Sequence, residues 1–143
     1  MKKEFTASIR YTCLLLVAVV LCLSSLRAQE PDAAALVASG DEKAARKDYA
    51  GAIADYTSCL AQDPGNASAF AKRSMVETKN RSLDSALADA EKAVAIAPDL
   101  SDAYLARGYV RAAKGSREAA LEAYNQAILL DANSAVAHVY RVW

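Results

Sequence analysis

The sequence is short of the residues from which reactive sites are built. Its 143 residues include one histidine, three cysteines, three prolines, five glycines and one tryptophan. A single imidazole, His138, cannot assemble the several His, Cys or carboxylate ligands that a metal needs, so no metal site is expected. The five glycines are scattered and form no phosphate-cradling loop. Cys13 and Cys22 fall in the first 28 residues, which leaves Cys59 without a partner for an internal disulfide. Cys59 reads as a small packing residue and His138 as a bulky one, so neither is placed in a nucleophile–base pair. Basic and acidic residues are equal at 17 each, with no basic stripe of the kind that binds nucleic acid. The expectation is a chain with no catalytic residues and no cofactors, not an enzyme.

Long apolar runs are scarce as well, and the one present lies at the start. The segment "MKKEFTASIR" is basic, "YTCLLLVAVVLCLSSL" is apolar, and "RAQEPD" follows. A basic start, a short apolar core and a small residue at Ala28 are the layout of a secretory signal. The core runs 16 residues from Tyr11 to Leu26 and as a helix would reach ~24 Å, against ~30 Å of membrane hydrocarbon. A signal over 1–28, cut after Ala28, is therefore expected, with an uncleaved anchor as the alternative. Leu26 is larger than the cleavage pattern prefers, and "VVL" before Cys22 lacks the small residue of a lipid-modified start. Four of the 17 basic residues and one of the 17 acidic residues lie in those 28, so the remainder carries a net charge of −3. The expected location is periplasmic or secreted, with no membrane insertion after cleavage and no nucleic-acid partner.

What the sequence has in plenty is regularity. Pro64 and Pro98 are 34 residues apart, and a further 34 reaches Ala132 in a similar phrase. Ala52, Ala86 and Ala120 coincide at this interval, as do Ala35, Ala69, Ala103 and Ala137. Gly40, Ser74 and Gly108 are small, while Leu36, Phe70, Tyr104 and His138 are bulky. Each interval holds two segments of about 14 residues rich in helix-forming Ala, Leu, Lys, Glu and Arg. In "REAALEAYNQAILL" the apolar positions fall three and four apart, the spacing of an amphipathic helix. Turn signals separate the segments, among them "KDY", "KNRS", "KGS", "DPGN" and "APDL". The phrase recurs because one helix pair cannot bury its apolar face without a neighbour.

With bulky-x-x-x-small spacing, then Ala, an aromatic and Pro, the repeat resembles the tetratricopeptide repeat family. Tyr104, Gly108, Ala120, Tyr124 and Ala127 fall where the family's signature residues fall. Lys43, Glu77 and Arg111 stand where the family has an aromatic, and Ala132 replaces the closing proline. The resemblance implies an all-α solenoid of antiparallel helix pairs: an array over 29–134 with units 33–66, 67–100 and 101–134, and a partial fourth repeat helix at 135–143. It also implies a concave groove lined by the first helix of each pair. The groove residues would be Val37, Asp41 and Ala45; Lys72, Met75 and Lys79; Asp102, Leu105, Tyr109 and Ala113; then Val139, Tyr140 and Trp143. Within it, Met75, Leu105 and Tyr109 are expected to meet apolar side chains of a protein or peptide partner, and Lys72 and Lys79 its carboxylates.

Cochaperones of this family clamp a partner's terminal carboxylate with Lys, Asn and Arg. The matching positions here hold Val37, Asp41, Lys72, Asp102 and Ala106, so that ligand is not expected. The expected function is a non-enzymatic interaction module or scaffold of the cell envelope. The alternative is an accessory or regulatory domain of a larger enzyme or assembly, of which this chain is a fragment. Val139 and Tyr140 lack a following helix, which suggests self-association through the C-terminal face as a further option.

Overall fold

The structure, a computed structural model, describes residues 31–142. The signal expected over 1–28 and the expected groove residue Trp143 lie outside the described residues. Within them are seven α-helices and no strand. They are α1 (Ala33–Ala45), α2 (Tyr49–Gln62), α3 (Ala67–Lys79), α4 (Leu83–Ile96), α5 (Ser101–Ala113), α6 (Arg117–Leu130) and α7 (Ala135–Val142). First helices begin at Ala33, Ala67, Ser101 and Ala135, and second helices at Tyr49, Leu83 and Arg117; every step is 34 residues. Each pair packs as an antiparallel hairpin and stacks on the next, giving an all-α solenoid.

The turn inside each hairpin is built the same way three times. The first helix ends where one residue takes left-handed backbone: Lys47 at φ 64°, Arg81 at φ 68° and Gly115 at φ 81°. That residue's N–H donates back to Ala44, Thr78 or Ala112, and the next N–H donates to Lys43, Glu77 or Arg111. These bonds satisfy the last carbonyls of the helix, the closure expected of a left-handed C-terminal cap. Side-chain caps start helices both inside the first hairpin and at the hinge after it. Asp48 accepts from the Gly51 N–H at 3.0 Å, and Asn66 from the Ala69 N–H at 3.0 Å. Asn66 in "NAS" is thus a helix cap in the hinge.

Alanine dominates the seams. Ala52, Ala86 and Ala120 are buried on the second helices, and Ala69, Ala103 and Ala137 on the first. Ala35 shares the latter register but is exposed, since no hairpin precedes it among the described residues. Around Phe70 the central core joins Leu36, Leu60, Ala90, Ala106 and Val110. Close approach within a hairpin depends on matched sizes. A Cβ on Gly40 would stand 2.6 Å from Cε1 of Tyr56, and one on Gly108 would meet Tyr124 closer still. In the middle unit the same two places hold Ser74 and Ala90, both fully buried, with the Ser74 hydroxyl donating to the Ala86 carbonyl.

Charged residues tie neighbouring helices, within a hairpin and between hairpins, at or near the positions where the tetratricopeptide pattern has aromatics. Lys43 pairs with Asp55 at 2.7 Å, and Asp55 also accepts from Ser39 at 2.6 Å. One turn before Glu77, Arg73 grips Asp89 with both Nε and Nη2, at 2.6 and 2.9 Å. Arg111 reaches across to Glu91 on α4 at 3.9 Å. In the third unit Ala123 occupies the register of Asp55 and Asp89. Arg107, in the register of Arg73, consequently has a buried Nε with no hydrogen-bond partner, and its guanidinium lies over the Tyr104 ring.

Candidate functional site

A cavity of about 630 Å³ opens at the hairpin-turn end of the stack. Its floor is aromatic and apolar: Tyr109 from α5, Ala120, Leu121 and Tyr124 from α6, and Tyr140 from α7. Tyr49, Thr78, Ala112, Ala113 and Gly115 complete the wall, and Lys79, Arg81 and Arg117 line it with positive charge. Among the described residues no Asp or Glu lines it.

The tyrosines form one cluster. The Tyr140 ring lies 5.3 Å from Tyr109 and 5.8 Å from Tyr124, tilted against the first and stacked on the second. Offset pairs of this kind add to the burial energy of the rings. Tyr124 is held close over Gly108, and burial pushes its hydroxyl pKa up to about 12. Burial raises Tyr109 as well. Both hydroxyls therefore stay protonated at neutral pH and can donate hydrogen bonds.

The cations differ sharply in their engagement. Lys43, Arg46, Lys72, Arg73, Arg111 and Lys114 each have a carboxylate partner. Lys79, Arg81 and Arg117 have no ion pair among the described residues. Arg117 is the first residue of α6, where the helix already presents unpaired N–H groups, and the preceding Ser116 makes no side-chain cap.

Of the five residues expected to meet a ligand, two line the cavity: Lys79 and Tyr109. Lys72 does not line it. Its ammonium is paired with Asp41, which also accepts from the Tyr56 hydroxyl at 2.7 Å. Met75 is half-buried against the central core. Leu105 needs correction outright: it is 6% exposed and packed with Ala120, Tyr124, Ala127 and Ala137. The α7 hairpin position buries that leucine, so it is core and not groove surface. Sequence reasoning missed Tyr49, Arg81, Tyr124 and Arg117. Arg81 read only as part of a turn, "KNRS", although its register partner Gly115 signals the left-handed backbone there.

Neither Cys59 nor His138 joins the cavity. Burial raises the Cys59 thiol, away from the thiolate form that nucleophilic chemistry needs. The His138 ring stands 3.1 Å from the Ala132 carbonyl in the hinge before α7. Among the described residues no group of three or more His, Cys, Asp or Glu could hold a metal, and no helix is long and apolar enough to cross a membrane.

Equal helical hairpins stacked in register, with a hollow at one end of the pairs, define a helical-repeat protein. Residues 101–134 match the tetratricopeptide repeat family. Solved structures extend the likeness over the array. The Sgt2 TPR domain from Aspergillus fumigatus is 28% identical, with a TM-score of 0.73, covering 79% of this chain and 76% of that one. The first TPR domain of human RPAP3 is 26% identical, with a TM-score of 0.73, covering 77% of this chain and 87% of that one. The first TPR of Spaghetti (RPAP3), bound to the HSP90 peptide SRMEEVD, is 26% identical with a TM-score of 0.71, covering 78% of this chain and 88% of that one. No curated protein sequence matches significantly. The described hairpins thus share the fold of these TPR domains, and the unit 101–134 matches the tetratricopeptide repeat itself.

Proposed function

We propose that the array is a protein-interaction module that seats a peptide segment of a partner protein in the tyrosine-floored cavity. The observation that carries this is the meeting of three clustered tyrosines with three cations that have no ion pair among the described residues, in one hollow of about 630 Å³. Sites of this size, apolar with a few convergent polar groups, are where ligands bind. The relative bound to an HSP90 peptide supports a peptide as ligand. The chaperone tail itself is not proposed, because Val37, Asp41, Asp102 and Ala106 stand at the clamp positions. The module is proposed to act in the cell envelope, as a scaffold without catalysis of its own; the basic, apolar and small-residue layout of 1–28 supports that location.

A photo-crosslinking amino acid at Tyr109 tests the reading in cells, with the same group at exposed Ala61 as control. A single adduct formed from position 109 and absent from 61 is expected. Equal capture at both positions, or none at 109, rejects it.

A second reading has its own observation. Leu129 is 77% exposed and Val139 56%, with Leu130 and Val136 beside them at the C-terminal end. Such a face supports self-association. Sedimentation of Leu129→Glu/Val139→Glu against the parent checks it; a monomer in both samples removes it.

A further inference from the structure

We infer that the cavity selects an acidic peptide segment, its carboxylates held by Lys79, Arg81 and Arg117 and an apolar side chain laid on Tyr109, Tyr124 and Tyr140. The inference rests on the groove-binding reading above and goes further by fixing the chemistry of the occupant.

Three observations converge on an anion. First, among the described residues the cavity wall contains three cations and no Asp or Glu, although residues 29–143 carry a net charge of −3. A positive pocket on a negative chain is not a by-product of composition. Second, Lys72 and Lys114 each reach an acidic partner on a neighbouring hairpin, Asp41 and Asp84, whereas Lys79, Arg81 and Arg117 have no ion pair among the described residues. Third, the two arginines project from a turn and a helix start, Arg81 from the left-handed state that Lys47 also takes and Arg117 from the first residue of α6. Arg81 occupies left-handed backbone at φ 68°, where the third unit uses Gly115. Arg117 opens α6, where the helix dipole disfavours a cation and favours an anion.

The tyrosines then decide between a free anion and a peptide. Phosphate alone would leave the stacked rings uncovered. A segment of acidic residues around an apolar side chain uses both halves of the cavity. Bidentate arginine–carboxylate bonds would fix its register, and the protonated tyrosine hydroxyls can donate to its backbone.

Isotope-labelled protein is titrated with acetyl-DEIFDE-amide, its neutral isostere acetyl-NQIFNQ-amide, and inorganic phosphate, with amide shifts and affinity read together. The acidic peptide should move residues around the cavity and bind at least tenfold more tightly than the neutral one. Lys79→Glu, Arg81→Glu and Arg117→Glu should each weaken it about tenfold and leave the neutral peptide unaffected. Arg81→Gly guards against misfolding, because relief of the backbone should raise the melting temperature while affinity falls. Equal affinity for both peptides at the cavity overturns the charge selection and leaves the groove reading standing. Phosphate shifts that match the acidic peptide's reduce the site to an anion subsite and overturn the peptide part. Absence of any shift near the cavity overturns the inference and the groove reading alike.

Discussion

At the scale of single residues, the backbone states Lys47, Arg81 and Gly115 share make the sharpest expectation. A side chain in left-handed backbone costs about 1 kcal/mol relative to glycine. Lys47→Gly should therefore stabilise the fold by roughly that amount, and Gly115→Ala should destabilise it similarly; urea unfolding measures both. Glu77 gives a second expectation. Burial raises its carboxyl pKa, Asp89 raises it further, and Arg73 offsets part of the effect. The folded protein thus holds this proton more tightly than the unfolded chain. Its stability contribution is complete below the ordinary value near 4.5 and is lost as pH climbs through the raised one. Glu77→Gln should flatten the fall of the melting midpoint over that window; an unchanged slope would acquit Glu77. That Lys79 and Tyr109 line the cavity was legible because helical periodicity fixes the face. The places of Lys72 and Leu105 were not, since an ion pair with Asp41 and the arrival of α7 depend on neighbours that periodicity does not encode.

At the scale of elements, each hairpin is held by complementary sizes. Gly40 admits Tyr56 and Gly108 admits Tyr124, while Ser74 faces Ala90. Gly108→Ser alone should cost about 1–3 kcal/mol through overcrowding. Combined with Tyr124→Ala, which reproduces the middle unit's pair, the loss should fall short of the sum by at least about 1 kcal/mol in a double-mutant cycle. Additivity would mean the ring simply moves aside. The equal helix starts were legible because alanines and bulky residues recur at a constant interval. The glycine–tyrosine match was half legible: the small and aromatic registers were visible, but their contact crosses from one helix to the other. The ion pairs were hidden for a different reason. Lys43 and Arg111 looked like departures from an aromatic pattern, and only the fold brings Asp55 and Glu91 to them.

At the scale of the whole molecule, stacked repeats derive stability from their own hairpins and from the seams with neighbours. The α7 helix meets only one hairpin, and its link to the cavity runs through Tyr140. Tyr140→Ala should therefore loosen α7 first, seen as faster hydrogen exchange over 135–142 with α3 and α4 unchanged. Exchange that rises uniformly would show the array unfolding as one block. The stack was legible in outline because its repeat is gapless. The cavity was not, because it lies at the turn end of the hairpins, where Arg81 and Arg117 join α5, α6 and α7 across more than one unit.

The matched pairs have one more consequence. Gly40 and Tyr56, Ser74 and Ala90, Gly108 and Tyr124, and Arg73 and Asp89 all lie inside a single hairpin. Each of these locks sits in the same module as its key, so copying one whole and splicing it in at a hinge would separate none of them; only the pairs that cross hinges, Lys72 with Asp41, Arg111 with Glu91 and Lys114 with Asp84, would have to find partners on the copy. Evolution could lengthen such a protein by duplication alone, leaving the joinery inside each module untouched.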